Sequence, residues 1–293
     1  MSARSTISIP APSTDVQHRL AGEFADLRKA RERRRGPANT AKRRAALTIV
    51  HNEAVFFPIW LAYYSRFFAA EDIYVLDHET TDGSTDGPGF VRTPVTHATV
   101  DHNWMVRAIE QKQHALLDSY DVVLVTDVDE IIAPHPGLGT LGDYIDRFEE
   151  DFVNCLGYEL IHMIDREGPY DPARGILAQR GHWFANDIYD KPALATEPLS
   201  WRPGFHRTTD GRMNSDPDLY LIHLHRMDYE ICMARHRYRR TRRWNRNDVE
   251  MGWARHNRIT EDAAFASWFY GDTNTSWNEL VIEPIPSEWR GVF

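Results

Sequence analysis

Three carboxylates close behind a run of aliphatic residues are the groups in this chain best placed for chemistry. The stretch reads Val122-Val-Leu-Val-Thr-Asp127-Val-Asp129-Glu130-Ile-Ile. Its β-branched character and its length predict a buried strand, too short to span a bilayer. Alternation along such a strand puts Asp127 and Asp129 on one side, a pleat apart. Carboxylates that close repel each other unless a cation lies between them. Oxygen ligands of this kind suit Mg2+ or Mn2+, ions that keep positions open for phosphate oxygens. The expectation is a metal–diphosphate site at the end of a sheet strand.

Periodicity predicts the elements that must carry such a site. Ala45–Val50 reads as a buried strand stopping at His51-Asn52-Glu53, followed by a helix from about Phe56 to Phe68. Ile73–Leu76 reads as a second strand halting at Asp77, and Asp82-Gly-Ser-Thr-Asp-Gly as turn chemistry. A helix over Trp104–Tyr120 leads into the carboxylate strand. Strand–helix–strand units at this spacing predict a parallel sheet with helices on its faces, and ligands bind beyond the carboxyl ends of such strands. Three polar clusters, His51–Glu53, Asp77–Asp82 and Asp127–Glu130, fall at those ends. Further on, Tyr158–Ile164 and Leu219–His225 read as strands, and Tyr229–Asn245 as an Arg-rich helix. No internal repeat is found.

The formal charge of −9 conceals an asymmetry. Residues 1–46 carry a positive surplus of about seven, leaving about −16 for the rest. An acidic body excludes a nucleic-acid enzyme, which needs a basic face for phosphates. Two cysteines, Cys155 and Cys232, make neither a metal cluster nor a disulfide framework and fit a reducing cytoplasm. The N-terminus lacks the apolar run of a secretory signal. The expectation is a cytoplasmic protein. A helix over residues 14–35 runs into the basic segment Arg31-Glu-Arg-Arg-Arg, read either as a solvated linker or as a contact with anionic lipid at the inner face of the membrane.

Gly137-Leu-Gly139-Thr-Leu-Gly142 spells a dinucleotide fingerprint, but in the wrong place. That fingerprint must follow its strand directly. Here Thr140 and Asp143 read instead as a capping box for a helix over Leu141–Phe148. Asp127-Val-Asp129 also resembles the paired aspartates of haloacid-dehalogenase-like phosphatases, although two core strands precede it where that family has none.

Thr48-Ile-Val-His-Asn52-Glu53, Trp60-Leu-Ala-Tyr-Tyr, Tyr74-Val-Leu-Asp77-His-Glu-Thr80-Thr-Asp82 and Val125-Thr-Asp127-Val-Asp129-Glu130 occur in that order. Together they resemble the glycosyltransferase family 2-like proteins with a GT-A fold, in the branch whose aspartate motif reads Asp-x-Asp-Glu. The resemblance covers roughly residues 45–135. It implies an α/β domain with a mostly parallel central sheet, a nucleotide-binding half, an acceptor-side region, and a Mn2+ or Mg2+ cofactor. A nucleotide-sugar donor and a carbohydrate or lipid-linked acceptor would be the partners, and a non-catalytic nucleotide-sugar-binding protein is the alternative.

The same resemblance implies roles for individual residues. Asn52 and Glu53 would border the nucleotide, Asp77 would bind its base, and Thr80 and Asp82 would shape that pocket. Asp129 would ligate the metal, Asp127 would touch ribose or metal, and Glu130 would orient the pair or the donor sugar. His223 and His225 share a strand face, and one of them would complete the metal's coordination. Either is also well explained as a core histidine, and His206 and His182 are further candidates. Asp187, Asp190, Asp165 and Glu167 are available as the base for an inverting transfer, and Asp187 is the choice among them. Lys112 and Arg107 would reach the diphosphate unless they simply face solvent.

Arg235, Arg239, Arg242, Arg243 and Arg246 hint at an anionic acceptor, beside the plainer reading of a surface helix. Tryptophans after Trp201 could stack on sugars or fill the core. The expected organisation is an extension over 1–44, a catalytic domain over 45–228, and a Trp-rich helical region over 229–293 that packs on it or covers it.

Overall fold

The computed structural model describes residues 41–271 and 281–293. The helix expected over 14–35 and the basic segment after it lie outside the described residues, as does Trp277. The fold is α/β, a central sheet flanked by helices. Its first half is parallel throughout. Strand β1 (Arg44–Val50) pairs with β2 (Ile73–His78) on one side and β4 (Val122–Val125) on the other, and β3 (Val91–Val95) extends β2. Parallel strands covered on both faces need apolar side chains throughout, and the four residues of β4 are all buried.

The covers are two crossover helices. Helix α1 (Phe56–Tyr64) contributes Phe56, Phe57 and Trp60 to the core cluster on one face. Helix α2 (His102–Leu117) contributes Val106, Ile109 and Leu116 to the cluster on the other. Both lie within a few residues of their predicted limits.

Beyond β4 the pairing changes. The run expected as one strand breaks at Val125, and the chain turns into β5 (Glu130–Pro134). Helix α3 (Leu141–Asp146) follows, with the Thr140–Asp143 capping box in place, so the glycine-rich decoy is a helix start. Strand β6 (Phe152–Ile161) pairs with β7 (His182–Ala185) and β8 (Pro192–Ala195) antiparallel, and β8 joins it to β4. Strand β9 (Ser215–Arg226) runs parallel to β6 and antiparallel to β5. Helices α4 (Tyr229–Thr241), α5 (Arg246–Glu250) and α6 (Asp262–Gly271) follow, and β10 (Glu283–Pro284) edges β7.

Gly157 permits one close approach that matters for the site. A side chain there would meet the Asn186 carbonyl at 2.4 Å and Tyr189 Cβ at 2.5 Å. The 3-10 turn Asp187–Tyr189 therefore lies directly on β6, and the Tyr189 ring packs tilted against His223 with ring centroids 4.4 Å apart.

Candidate active site

The carboxylates leave the sheet. Asp127 and Asp129 sit in a turn between β4 and β5, closed by the Glu130 amide donating to the Asp127 carbonyl at 3.1 Å. The expected pleat-spaced pair on one strand is therefore corrected. The break is imposed from outside the segment. Trp60 Nε1 donates to Thr126 Oγ1 at 2.8 Å, Tyr64 accepts the Ile132 amide at 2.9 Å, and Tyr63 donates to the Ile132 carbonyl at 2.9 Å. Pairing of Glu130 with His223 and of Ile132 with Leu221 commits the chain to β9.

Every carboxylate of the turn faces a cation, and Asp127 and Glu130 share one. Lys191, buried just before β8, places Nζ 2.9 Å from Asp127 Oδ2 and 2.6 Å from Glu130 Oε2. Burial works against that ammonium, but the two carboxylates override it and raise its pKa. Glu130 also accepts the Asp127 amide at 2.7 Å, so it shapes the turn. Arg235 on α4 donates to Asp129 and reaches Glu53 with Nε at 3.1 Å and Nη2 at 2.7 Å. Arg239, one helical turn on, donates to the same Glu53 oxygen at 3.0 Å.

His223 stands between Glu159 at 2.8 Å and Asp129 at 3.5 Å. Burial disfavours its charge, yet the two carboxylates push its pKa up to about 10. Burial likewise raises the cost of ionising Asp129, but Arg235 and His223 hold it well below the ordinary carboxylate range.

Except for Lys191 and Glu159, which lie behind them, these groups line a cavity of about 400 Å³ at the carboxyl ends of β1, β2 and β4. Of the residues singled out from sequence, Asn52, Glu53, Asp127, Asp129, Glu130, His206, His223 and His225 line it, with Arg235, Arg239 and Arg242 from the basic patch. Tyr238 ties its rim, accepting Asn52 Nδ2 at 2.6 Å and lying 2.7 Å from His51 Nε2. Trp244 and Trp253 supply aromatic walls, whereas Trp201, Trp268 and Trp289 are core residues.

Others are spent elsewhere. Asp77 is buried, taking Arg92 Nε at 2.6 Å and the Thr80 amide at 2.9 Å, and does not line the cavity. Thr80 is turned to the Val50 carbonyl, and Asp82 accepts the Ala54 and Ser84 amides, which is turn chemistry. Lys112 lies over the Tyr74 ring, 4.4 Å from its centre. Asp187 caps no part of the cavity either; its carbonyl accepts Arg207 Nη2 at 3.1 Å, and Tyr189 is the cavity residue of that turn. Arg246 points outward and pairs with Glu250.

Sequence reasoning missed Lys191, which stands alone in a Pro-rich stretch without a local signal. It also missed His102 on α2. Asp248, fully buried, lies 2.6 Å from His102 Nδ1 and also takes the His102 amide at 3.0 Å. The ring lines the cavity, and Nε2 has no partner among the described residues.

One donor set at the turn includes a carboxylate and fits a divalent ion. Asp129, His223 and His225 each offer an atom within 4.8 Å of the other two, a mixed carboxylate–imidazole set that suits Mn2+ better than Mg2+. Loading it requires Arg235 to release Asp129 and His223 to give up its proton.

No known family model matches the chain. No curated protein matches it either. Among solved structures it is similar to a mannosyltransferase from Pyrobaculum calidifontis in complex with GDP-Man and Mn2+. The two are 15% identical with a TM-score of 0.35, over 76% of this chain and 71% of that one. The functional reading rests on the residues of this cavity. No helix among the described residues is long and apolar enough to cross a membrane.

Proposed function

We propose that this chain is a glycosyltransferase that moves a sugar from a nucleotide-diphosphate donor to a carbohydrate or lipid-linked acceptor, with inversion. One observation carries the reading. The Asp127–Glu130 turn and three arginines, Arg235, Arg239 and Arg242, converge on one cavity at the ends of parallel strands. Such a site can hold a metal, a diphosphate and a sugar side by side. On this reading residues 45–228 form a GT-A-like catalytic domain, and 229–293 is the region that packs on it or covers it.

A divalent ion held by Asp129, His223 and His225 would supply Lewis-acid neutralisation of the diphosphate. The remaining steps belong to the chain. Arg235, Arg239 and Arg242 orient the diphosphate and meet the charge that grows as the anomeric C–O bond breaks. Trp244 and Trp253 exclude water and offer faces to the donor. Glu130 and Lys191 fix the turn that presents Asp129. Asp187 does not reach the cavity, so we assign the acceptor's proton to His102 Nε2. Asp248 holds the opposite nitrogen and sets the tautomer. The acceptor oxygen bonds the anomeric carbon as the nucleoside diphosphate departs.

Thermal-shift screening of nucleoside diphosphates with and without Mn2+ tests the reading, followed by assays of donor hydrolysis and transfer. Metal-dependent stabilisation by one nucleoside diphosphate is expected. If none stabilises the chain in any metal, the reading fails.

A further inference from the structure

A second donor set lies beside the first and contains no carboxylate. One ring nitrogen from each of His225, His236 and His256 falls within 4.8 Å of the other two. The three come from separate elements: β9, α4 and the 3-10 turn Arg255–Arg258. His225 Nε2 and His236 Nε2 are 2.7 Å apart, and two nitrogens at that distance hold at most one proton between them. At least one lone pair is therefore aimed inward.

The cluster has a built enclosure. The Trp268 indole covers it, stacked on His256 at 5.2 Å and 8° and lying 4.7 Å from the His236 ring and 5.5 Å from His225. His256 is presented by a strained bend, since Ala254 sits at a φ of +46° although it is not glycine. The arginines at its edge are engaged elsewhere: Arg235 and Arg239 with Glu53, and Arg226 with the Trp268 and Phe269 carbonyls. His225 and His256 line the cavity, so one side of the set is open.

We infer that His225, His236 and His256 form a three-histidine site for a nitrogen-preferring transition-metal ion of the Zn2+ class, distinct from the carboxylate-containing set at Asp129. Three imidazoles with a fourth position left open are a donor set for zinc, and they discriminate against Mg2+ and Mn2+. His225 belongs to both sets. Zinc bound here withdraws it from Asp129, so Zn2+ and Mn2+ oppose each other.

The full chain, stripped with chelator, tests this by calorimetric titration with Zn2+ and by the visible d–d bands of Co2+ as a stand-in. The expected result is one equivalent bound far more tightly than Mn2+, with a four- or five-coordinate cobalt spectrum. His236→Ala and His256→Ala, on different elements, should each weaken binding by more than the roughly 10–100-fold of an outer-shell change. Circular dichroism reports whether each variant is folded. A wild-type chain that binds Zn2+ no better than Mn2+, or a six-coordinate cobalt spectrum, overturns the site. Unchanged Zn2+ affinity in a folded variant does the same. None of these readouts depends on nucleotide binding, so the site and the transferase reading fail separately.

Discussion

Arg235 and Glu53 are 182 residues apart in sequence and share two hydrogen bonds inside the cavity, at 3.1 and 2.7 Å. The same guanidinium holds Asp129, so one cation ties the loop after β1 to the turn after β4. Burial opposes its charge, but Asp129 and Glu53 raise its pKa further still. On the proposed transferase reading, Arg235 stands where a metal would bind Asp129.

Removing that cation should therefore be costly and partly reversible by metal. Arg235→Met leaves two buried carboxylates facing each other, a loss of about 3–5 kcal/mol by analogy with other broken buried pairs. Mn2+ should then raise the melting temperature of the variant more than that of the wild type, as read by thermal denaturation. An equal or smaller Mn2+ effect in the variant means that Asp129 is not the metal's ligand.

The Lys191 ammonium is a structural cation for the turn. Lys191→Met strands Glu130, which is 1% exposed, and should cost about 3–5 kcal/mol. Adding Glu130→Gln should restore part of that loss, because the remaining unpaired carboxylate, Asp127, is partly exposed to solvent. A double-mutant cycle in urea measures the coupling, and simple additivity would show that the two residues do not act as a pair.

His102 should matter to turnover and not to donor binding. His102→Asn is expected to lower kcat by about 100-fold or more, within the range for a general base. The nucleoside-diphosphate thermal shift should stay intact. Asp248→Asn should lower kcat less and change the pH profile, because it disturbs the imidazole's tautomer. A His102 variant with normal kcat removes this residue from the reaction.

Acid should destabilise the fold through the histidine cluster. Burial first, and neighbouring histidine or arginine charge second, lower the pKa values of His225, His236 and His256, that of His236 to about 3. Histidines in the unfolded chain titrate near 6.5. The unfolded state then binds more protons below that pH, so this stability is present above about pH 6.5 and is lost as pH falls towards 3. Each such group adds about 1.4 kcal/mol per pH unit to the slope. Melting in metal-free buffer between pH 7 and 5 should show a steep fall, shallower in His236→Ala. A flat profile contradicts the burial of neutral imidazoles.

How far the site was legible depends on where each signal resides. Val122–Val125 announces itself because a doubly covered parallel strand must be apolar. Thr140 and Asp143 mark a helix start because a capping box is local chemistry. Asp77 and Asp82 looked like ligand groups by position, yet Arg92 and the Ala54 amide, 15 and 28 residues away, consume them. Local turn chemistry accounts for the Thr80 and Ser84 amides, but nothing near either aspartate encodes the distant partner. Asp187 lies outside the cavity lining, and a carboxylate on an irregular segment has no periodicity to say which way it faces.

Local patterning was enough to specify the parallel half of the sheet, its two crossover helices, and the gathering of acidic residues at strand ends. Those follow from hydrophobic period and short-range capping, which act within a few turns of chain. Long-range packing put Asp127 and Asp129 on a turn, since Trp60 and the β9 register pull the chain out of β4. It also decided that Lys191 and Arg235 point inward. A buried cation is tolerated only beside its carboxylates, and these lie 61 to 182 residues away.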